Sequence, residues 1–395
     1  MRLFEYQRAS ELMEIEGIDI ILAHTRTNFG YLVDYYPDFV GSPFFLLDDG
    51  TGTYISFVGL PKEADRGPFF TPWTGEEGNV IAADPWIKDR RFYGCTFTIK
   101  GQPSKLEVEA DNPVDCVVSA LCERGLSRSC IGVEMRHLGV DIFEQLRAAL
   151  PDATFKDGSP VLWRLRMIKS EPEIERLRTA AVVTERAVRV TFDGVREGMT
   201  DYDFQRSLRA AAAVEGALFD MDHIALGPQG AMMCFPTGQT AQPGEVIRIE
   251  LATVVSGYFH VLSCVATLGE PRRELVRAHA AALKTLGAMR NTTRPGERCC
   301  DLYRRGVEIM AEEGYPILGP VLGYATGRDI HEYPFISARD ATPLEAGMVL
   351  VYEVPQRIKG VGSISIAHTF LVTEDGLDPV SKMDLGIYPA GQGSG

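Results

Sequence analysis

The feature that most constrains this chain is an internal repeat. "EPEIERLRTAAVVTERAV" (171–188) is echoed by "EPRRELVRAHAAALKTLG" (270–287), and "GMTDYDFQRSLRAAAAVEG" (198–216) by "GERCCDLYRRGVEIMAEEG" (296–314), a period of about 98 residues. Each copy has helical apolar spacing and is followed by strand-like runs, so each half reads helix, loop, helix, strands. The strands repeat too: "PGEVIRIELA" (243–252) matches "EAGMVLVYEVP" (345–355), and in both a glutamate stands six positions after the loop glycine, Gly244 to Glu250 and Gly347 to Glu353. A duplicated unit packed about a pseudo-twofold axis brings equivalent strands together. Both carboxylates are therefore expected in one central cleft.

A buried carboxylate is costly unless something pairs with it. Two such groups at equivalent positions point to a site, against the structural alternative that each pairs with an arginine such as Arg248 or Arg357. Glu250 and His260 flank the turn of an apolar hairpin, "RIELATVVSGYFHVLSC" (248–264), with the turn expected at Gly257-Tyr258. Ten positions separate them, an even number that would repeat the facing in an unbroken strand, but the Gly257 turn breaks the count. His260 reads either as a catalytic acid/base or as a core histidine.

The repeat occupies only the second part of the chain. From Leu3 to about Leu162 helical and strand patterns alternate: "YQRASELMEIEG" is a helix ending at Gly17, "IDIILA" a buried strand, and "SPFFLLDDGTGTYIS" a hairpin around Asp-Gly. Pro172 lies in the first turn of a long helix running to about Phe192, and Thr200 with Asp203 forms a capping box. A chain of 395 residues, 45% hydrophobic, exceeds the roughly 250–300 residues over which one core grows. Two domains are expected, 1–160 and 161–395.

A net charge of −14 opposes binding to nucleic acid or anionic membranes. The start lacks a secretory pattern and no apolar run reaches a transmembrane length, so a cytoplasmic location is expected. Eight cysteines without a C-x2-C pair suggest neither a zinc ribbon nor a disulfide framework.

At these residues the chain resembles the creatinase and Xaa-Pro aminopeptidase family. "GIDIILAHTRTNFGYLVDY", "LRMIKSEPEIERLRTAA", "GYATGRDIHEYPFI", "LEAGMVLVYEVP" and "HTFLVTEDG" follow the family's blocks in order. The resemblance implies an α/β fold: a small amino-terminal creatinase-like α/β domain, then a duplicated pita-bread catalytic domain. It also implies a homodimer whose amino-terminal domain approaches the partner's cleft. Metal-dependent members hold two divalent cations with two aspartates, a histidine and two glutamates. Those positions fall here at Glu250, Val261, Tyr324, Glu353 and near Ala367. Val and Ala offer no donor and neutral Tyr is a poor one, so no metal and no other cofactor is expected.

Creatinase and ectoine hydrolase are similar relatives that work without metals. The "ELA" carrying Glu250, with Tyr258 eight positions on and Leu262-Ser263 beyond, is like ectoine hydrolase, which implies covalent attack by Glu250. Where both relatives have a catalytic histidine, "GPQGAMMCFP" places Cys234, read as a nucleophile or as packing. His331, before "EYP", matches a substrate-facing histidine of the family. His368 reads as a proton shuttle or a sheet hydrogen-bond partner, and Tyr324 as an oxyanion donor or a packed loop residue.

The expected function is thus a metal-independent hydrolase of a C–N bond in a small nitrogen-rich metabolite, a cyclic amidine like ectoine or a guanidino compound like creatine. Catalysis is assigned to Glu250, Glu353, His260, His331 and Cys234, and substrate binding to Tyr324, His368 and Tyr258. The alternatives are an Xaa-Pro peptidase-like metalloenzyme and a non-catalytic pita-bread binding protein.

Overall fold

A computed structural model describes residues 1–35, 46–47, 52–53, 55–94, 108–317 and 319–392. They form two compact units, Met1–Arg166 and Met167–Gly395.

The first unit is built on a six-stranded mixed sheet. Its central strand, Ile20–Ala23, pairs antiparallel with Phe57–Pro61 and parallel with Cys130–Val133. All four residues of that strand are buried. Ile21 and Ala23 pack into one core with Phe29 and Phe70, while Ile20 and Leu22 pack into another with Val117 and Leu146. A strand covered on both faces has to be a continuous apolar run, and "IILA" is one. The preceding helix, Tyr6–Glu16, stops at Gly17, whose φ of 62° suits a residue without Cβ. Of the expected hairpin, Leu46–Leu47 and Gly52–Thr53 pair antiparallel, and the turn between them lies outside the described residues.

The second unit carries the repeat. In each half a long helix (Glu171–Asp193; Arg273–Thr292) and a shorter one (Asp201–Val214; Cys299–Glu312) precede three antiparallel strands. The expected capping box is formed: Thr200 Oγ1 accepts from Asp203 N at 3.3 Å, and Asp203 Oδ2 accepts from Thr200 N at 2.8 Å. Leu218–Leu226, Ile247–Val255 and Tyr258–Leu268 make one half of a nine-stranded sheet. Val321–Ala325, Val349–Ile358 and Gly362–Thr373 make the other, edged by Glu332–Ser337. The halves join along Tyr258–Leu268 and Gly362–Thr373, where Ser263 stands opposite Ala367.

Helices cover one face of this sheet. Ile249, Leu251, Leu262 and Cys264 pack with Val188 and Phe192, and in the other half Leu350, Tyr352, Ile366 and Phe370 pack with Leu286 and Met289. The alternate residues of the same strands point away from the helices. There Ala252, Val261, Val351 and Ala367 gather with Tyr324 in a separate cluster. That second face holds the site.

Candidate functional site

The hairpin turn falls at Ser256-Gly257, not at Gly257-Tyr258, and both residues have positive φ, 51° and 78°. Val255 faces Tyr258 across it, and the register runs without a break to Glu250 opposite Ser263. On the outer side Glu250 faces His223, and in the second half Glu353 faces Ala367. Directly opposed residues share a face. His223, Glu250, Ser263, Ala367 and Glu353 therefore form one row across the sheet, with Ala252, Val261, Val351 and Tyr324 beside it.

The two glutamates are held differently. Arg248, two residues before Glu250 and so on the same face, places Nη1 2.6 Å from Glu250 Oε2. His223 Nδ1 stands 3.9 Å from that oxygen. Burial pushes the Glu250 carboxyl up, but the His223 imidazole and the Arg248 guanidinium outweigh it and hold it below the usual carboxylate range. Glu353 accepts from Ser365 Oγ at 3.0 Å. Burial, reinforced by the Glu250 charge, raises its pKa to about 7. One carboxylate is ionised and the other retains a proton near neutrality, a division suited to acid and base roles.

Tyr324 is buried beside both, and burial with the two carboxylate charges raises its hydroxyl, which therefore stays a neutral donor. The exposed His331 sets its ring perpendicular to Tyr324, with centroids 4.2 Å apart. A buried ion pair holds this loop: Lys169 Nζ lies 3.0 Å from Glu332 Oε2, while Glu332 Oε1 accepts the amides of Arg328 and Asp329. Glu250, Glu353, Tyr324 and His331 thus come together.

Four assignments require correction on geometry. His260 faces Thr253, and His368 faces Tyr352, so both project from the helix-covered side, opposite the carboxylates. His260 has no exposed surface, and the His368 ring lies 4.8 Å from that of Phe370, tilted by 45°. Tyr258 projects to that side as well and donates to Glu173 at 3.1 Å. Cys234 is buried, with Sγ 3.9 Å from the Phe235 carbonyl; among the described residues no hydrogen bond joins it to a histidine. Sequence reading missed His223 and treated Arg248 only as a structural partner. The signal for Arg248 was its i, i+2 spacing from Glu250 in a strand.

The displaced histidines carry a testable consequence. Burial lowers His260 to about 3, with His368 adding to the effect, and lowers His368 to about 4. Both are neutral in the fold and regain an ordinary pKa near 6.5 on unfolding. The unfolded chain then binds more protons, so the stability they contribute is complete above about pH 6.5 and falls as pH drops toward 4 and 3. Urea melts of wild type and His260→Leu between pH 7 and 5 are expected to show a shallower acid loss in the variant. Parallel curves would remove His260 from that account.

The metal question turns on the donors. Glu250 and Glu353 remain, Val261 and Ala367 contribute none, and Arg248 already binds Glu250. Among the described residues no group of three His, Cys, Asp or Glu is placed to hold a metal ion. The face does not fit a pair of divalent cations.

Comparison with known proteins places the chain. Residues 6–168 match the creatinase/prolidase N-terminal domain, and residues 175–374, just over half of the chain, match metallopeptidase family M24. The chain belongs to metallopeptidase family M24. It is 25% identical over 377 residues to the putative dipeptidase YkvY of Bacillus subtilis (strain 168), covering 94% of this chain and 95% of that protein. It is also 25% identical to an Xaa-Pro dipeptidase of Lactobacillus helveticus, over 70% of this chain and 77% of that one. Among solved structures, the X-Pro aminopeptidase from Thermotoga maritima MSB8 superposes with a TM-score of 0.78 at 21% identity, covering 98% of this chain and 99% of that one. An Xaa-Pro dipeptidase from Bacillus anthracis gives 0.79 at 21% identity, covering 97% and 98%. The creatinase-like amino-terminal domain and the pita-bread domain are both present.

These matches overturn the expected activity. The relatives are named dipeptidases and the family is one of metallopeptidases, so the assignment to a metal-independent, ectoine-hydrolase-like branch cleaving non-peptide C–N bonds is withdrawn. No described helix is long and apolar enough to cross a membrane.

Proposed function

We propose that this chain is a peptidase-like hydrolase acting on the peptide bond of short Xaa-Pro peptides. The substrate class comes from the names of its relatives, and the observation that carries the chemistry is the unequal carboxylate pair. Glu250 Oε2 is engaged by Arg248, leaving Oε1 to accept a proton from water as its oxygen adds to the scissile carbonyl. Protonated Glu353 donates to the leaving imino nitrogen as the C–N bond breaks, and the proton on Glu250 returns to Glu353 through solvent. Tyr324 hydrogen-bonds the carbonyl oxygen while charge develops there, and His331, at the open edge, contacts the peptide.

A second reading has its own support: the donor positions lost at Val261 and Ala367 favour a cleft that holds a peptide without turnover. Incubating the purified chain with Ala-Pro, Leu-Pro and Ala-Ala, with and without Mn2+, is expected to release proline from the first two and to spare the third. Calorimetric binding of Ala-Pro without proline release would establish the second reading. Neither binding nor release would refute both.

A further inference from the structure

Arg248 is fully buried, and its guanidinium is bound by three acceptors of the surrounding structure. Nη1 lies 2.6 Å from Glu250 Oε2, while Nη2 donates to the Met232 carbonyl and, at 3.4 Å, to the Ala231 carbonyl. The segment after Leu218–Leu226 thus clamps the head group in place. A guanidinium stays charged at any working pH, so the Glu250 charge is balanced from within its own strand. Glu353, the other carboxylate of the row, meets a neighbour as a hydrogen-bonding carboxyl with its proton retained near neutrality. The floor of the face offers no uncompensated anion. It offers donors, Glu353 and Tyr324, suited to a neutral carbonyl.

We propose that Arg248 determines specificity by excluding cationic groups from Glu250, so that the cleft takes peptides whose amino group is acylated in preference to those presenting an ammonium. This rests on the peptidase reading above for its substrate class. An ammonium or a hydrated divalent cation placed beside Glu250 meets the Arg248 charge at close range; an acetamide brings a carbonyl and no charge. The carboxylates that could serve an ammonium instead, Asp220 and Asp329, lie toward His331.

The test uses the full chain and two probes. Calorimetry with Ala-Pro and N-acetyl-Ala-Pro is expected to show the acetylated peptide binding tighter by about tenfold, since like charges brought together weaken binding. Tighter binding of the free dipeptide would overturn the proposal and place its ammonium on the rim carboxylates. If neither peptide binds or is cleaved, the peptidase reading fails, and Mn2+ alone then tests Arg248. Titration with MnCl2 is expected to saturate no site in wild type that Glu250→Gln abolishes. A Glu250-dependent Mn2+ site in wild type would overturn the exclusion.

Discussion

Arg248→Met is expected to lower the unfolding free energy by about 3–5 kcal/mol, the usual cost of removing one partner of a buried ion pair. The size follows from what remains behind. Glu250 is 7% exposed and ionised, and once the guanidinium 2.6 Å away is gone the basic group beside its charge among the described residues is His223, 3.9 Å off. The Met232 and Ala231 carbonyls lose their donor at the same time, which adds unsatisfied acceptors. The double variant Arg248→Met/Glu250→Gln is expected to recover much of the loss, because a buried pair exchanged for neutral groups is often near break-even. Denaturant melts of the wild type, both single variants and the double variant give the coupling energy directly. Wild-type stability in Arg248→Met would show that the pair contributes nothing to the fold.

Glu353→Gln is expected to reduce peptide turnover by about 10²–10⁴, the range for a general acid or base, with little change in stability. Gln keeps the shape and can still accept from Ser365 at the position of Oε1, 3.0 Å away in the parent. The informative readout is the pH profile. The Glu353 proton is lost as pH rises through about 7, so wild-type activity is expected to decline on the alkaline side of that value. The variant has no proton to lose there, and the alkaline limb should vanish from its residual activity. The same limb at undiminished turnover would exclude Glu353 as the acid.

Together the two variants separate the roles of the glutamates, which the chain presents as equivalents. Glu250 and Glu353 occupy matching strands of a duplicated unit, yet one has an arginine two residues upstream and the other has Val351 there. His223 on the neighbouring strand and Arg248 together account for the split in ionisation. A symmetric carboxylate pair has become an acid and a base.

The duplication, the helix caps and the pairing of two carboxylates in one cleft were legible in the chain, because repeats and strand periodicity are local properties. So was the loss of ligand donors, since Val and Ala carry none wherever they lie. The activity was legible only as an alternative: the motifs around Glu250 resembled a non-peptide hydrolase and put an Xaa-Pro peptidase-like enzyme second, while relatives matched over most of the chain are named dipeptidases. The facing of the histidines was decided only in three dimensions. A two-residue turn at Ser256-Gly257 sets Glu250 against Ser263 and His260 against Thr253, on the face toward the helices. The same alternation in the partner half puts Ala367 on the site face and His368 behind it. Side chains alternate with a period of two, so a two-residue turn puts Glu250 and His260 on opposite faces where a three-residue turn would put them on one, and the turn length that chooses between the two outcomes is settled by the paired strands.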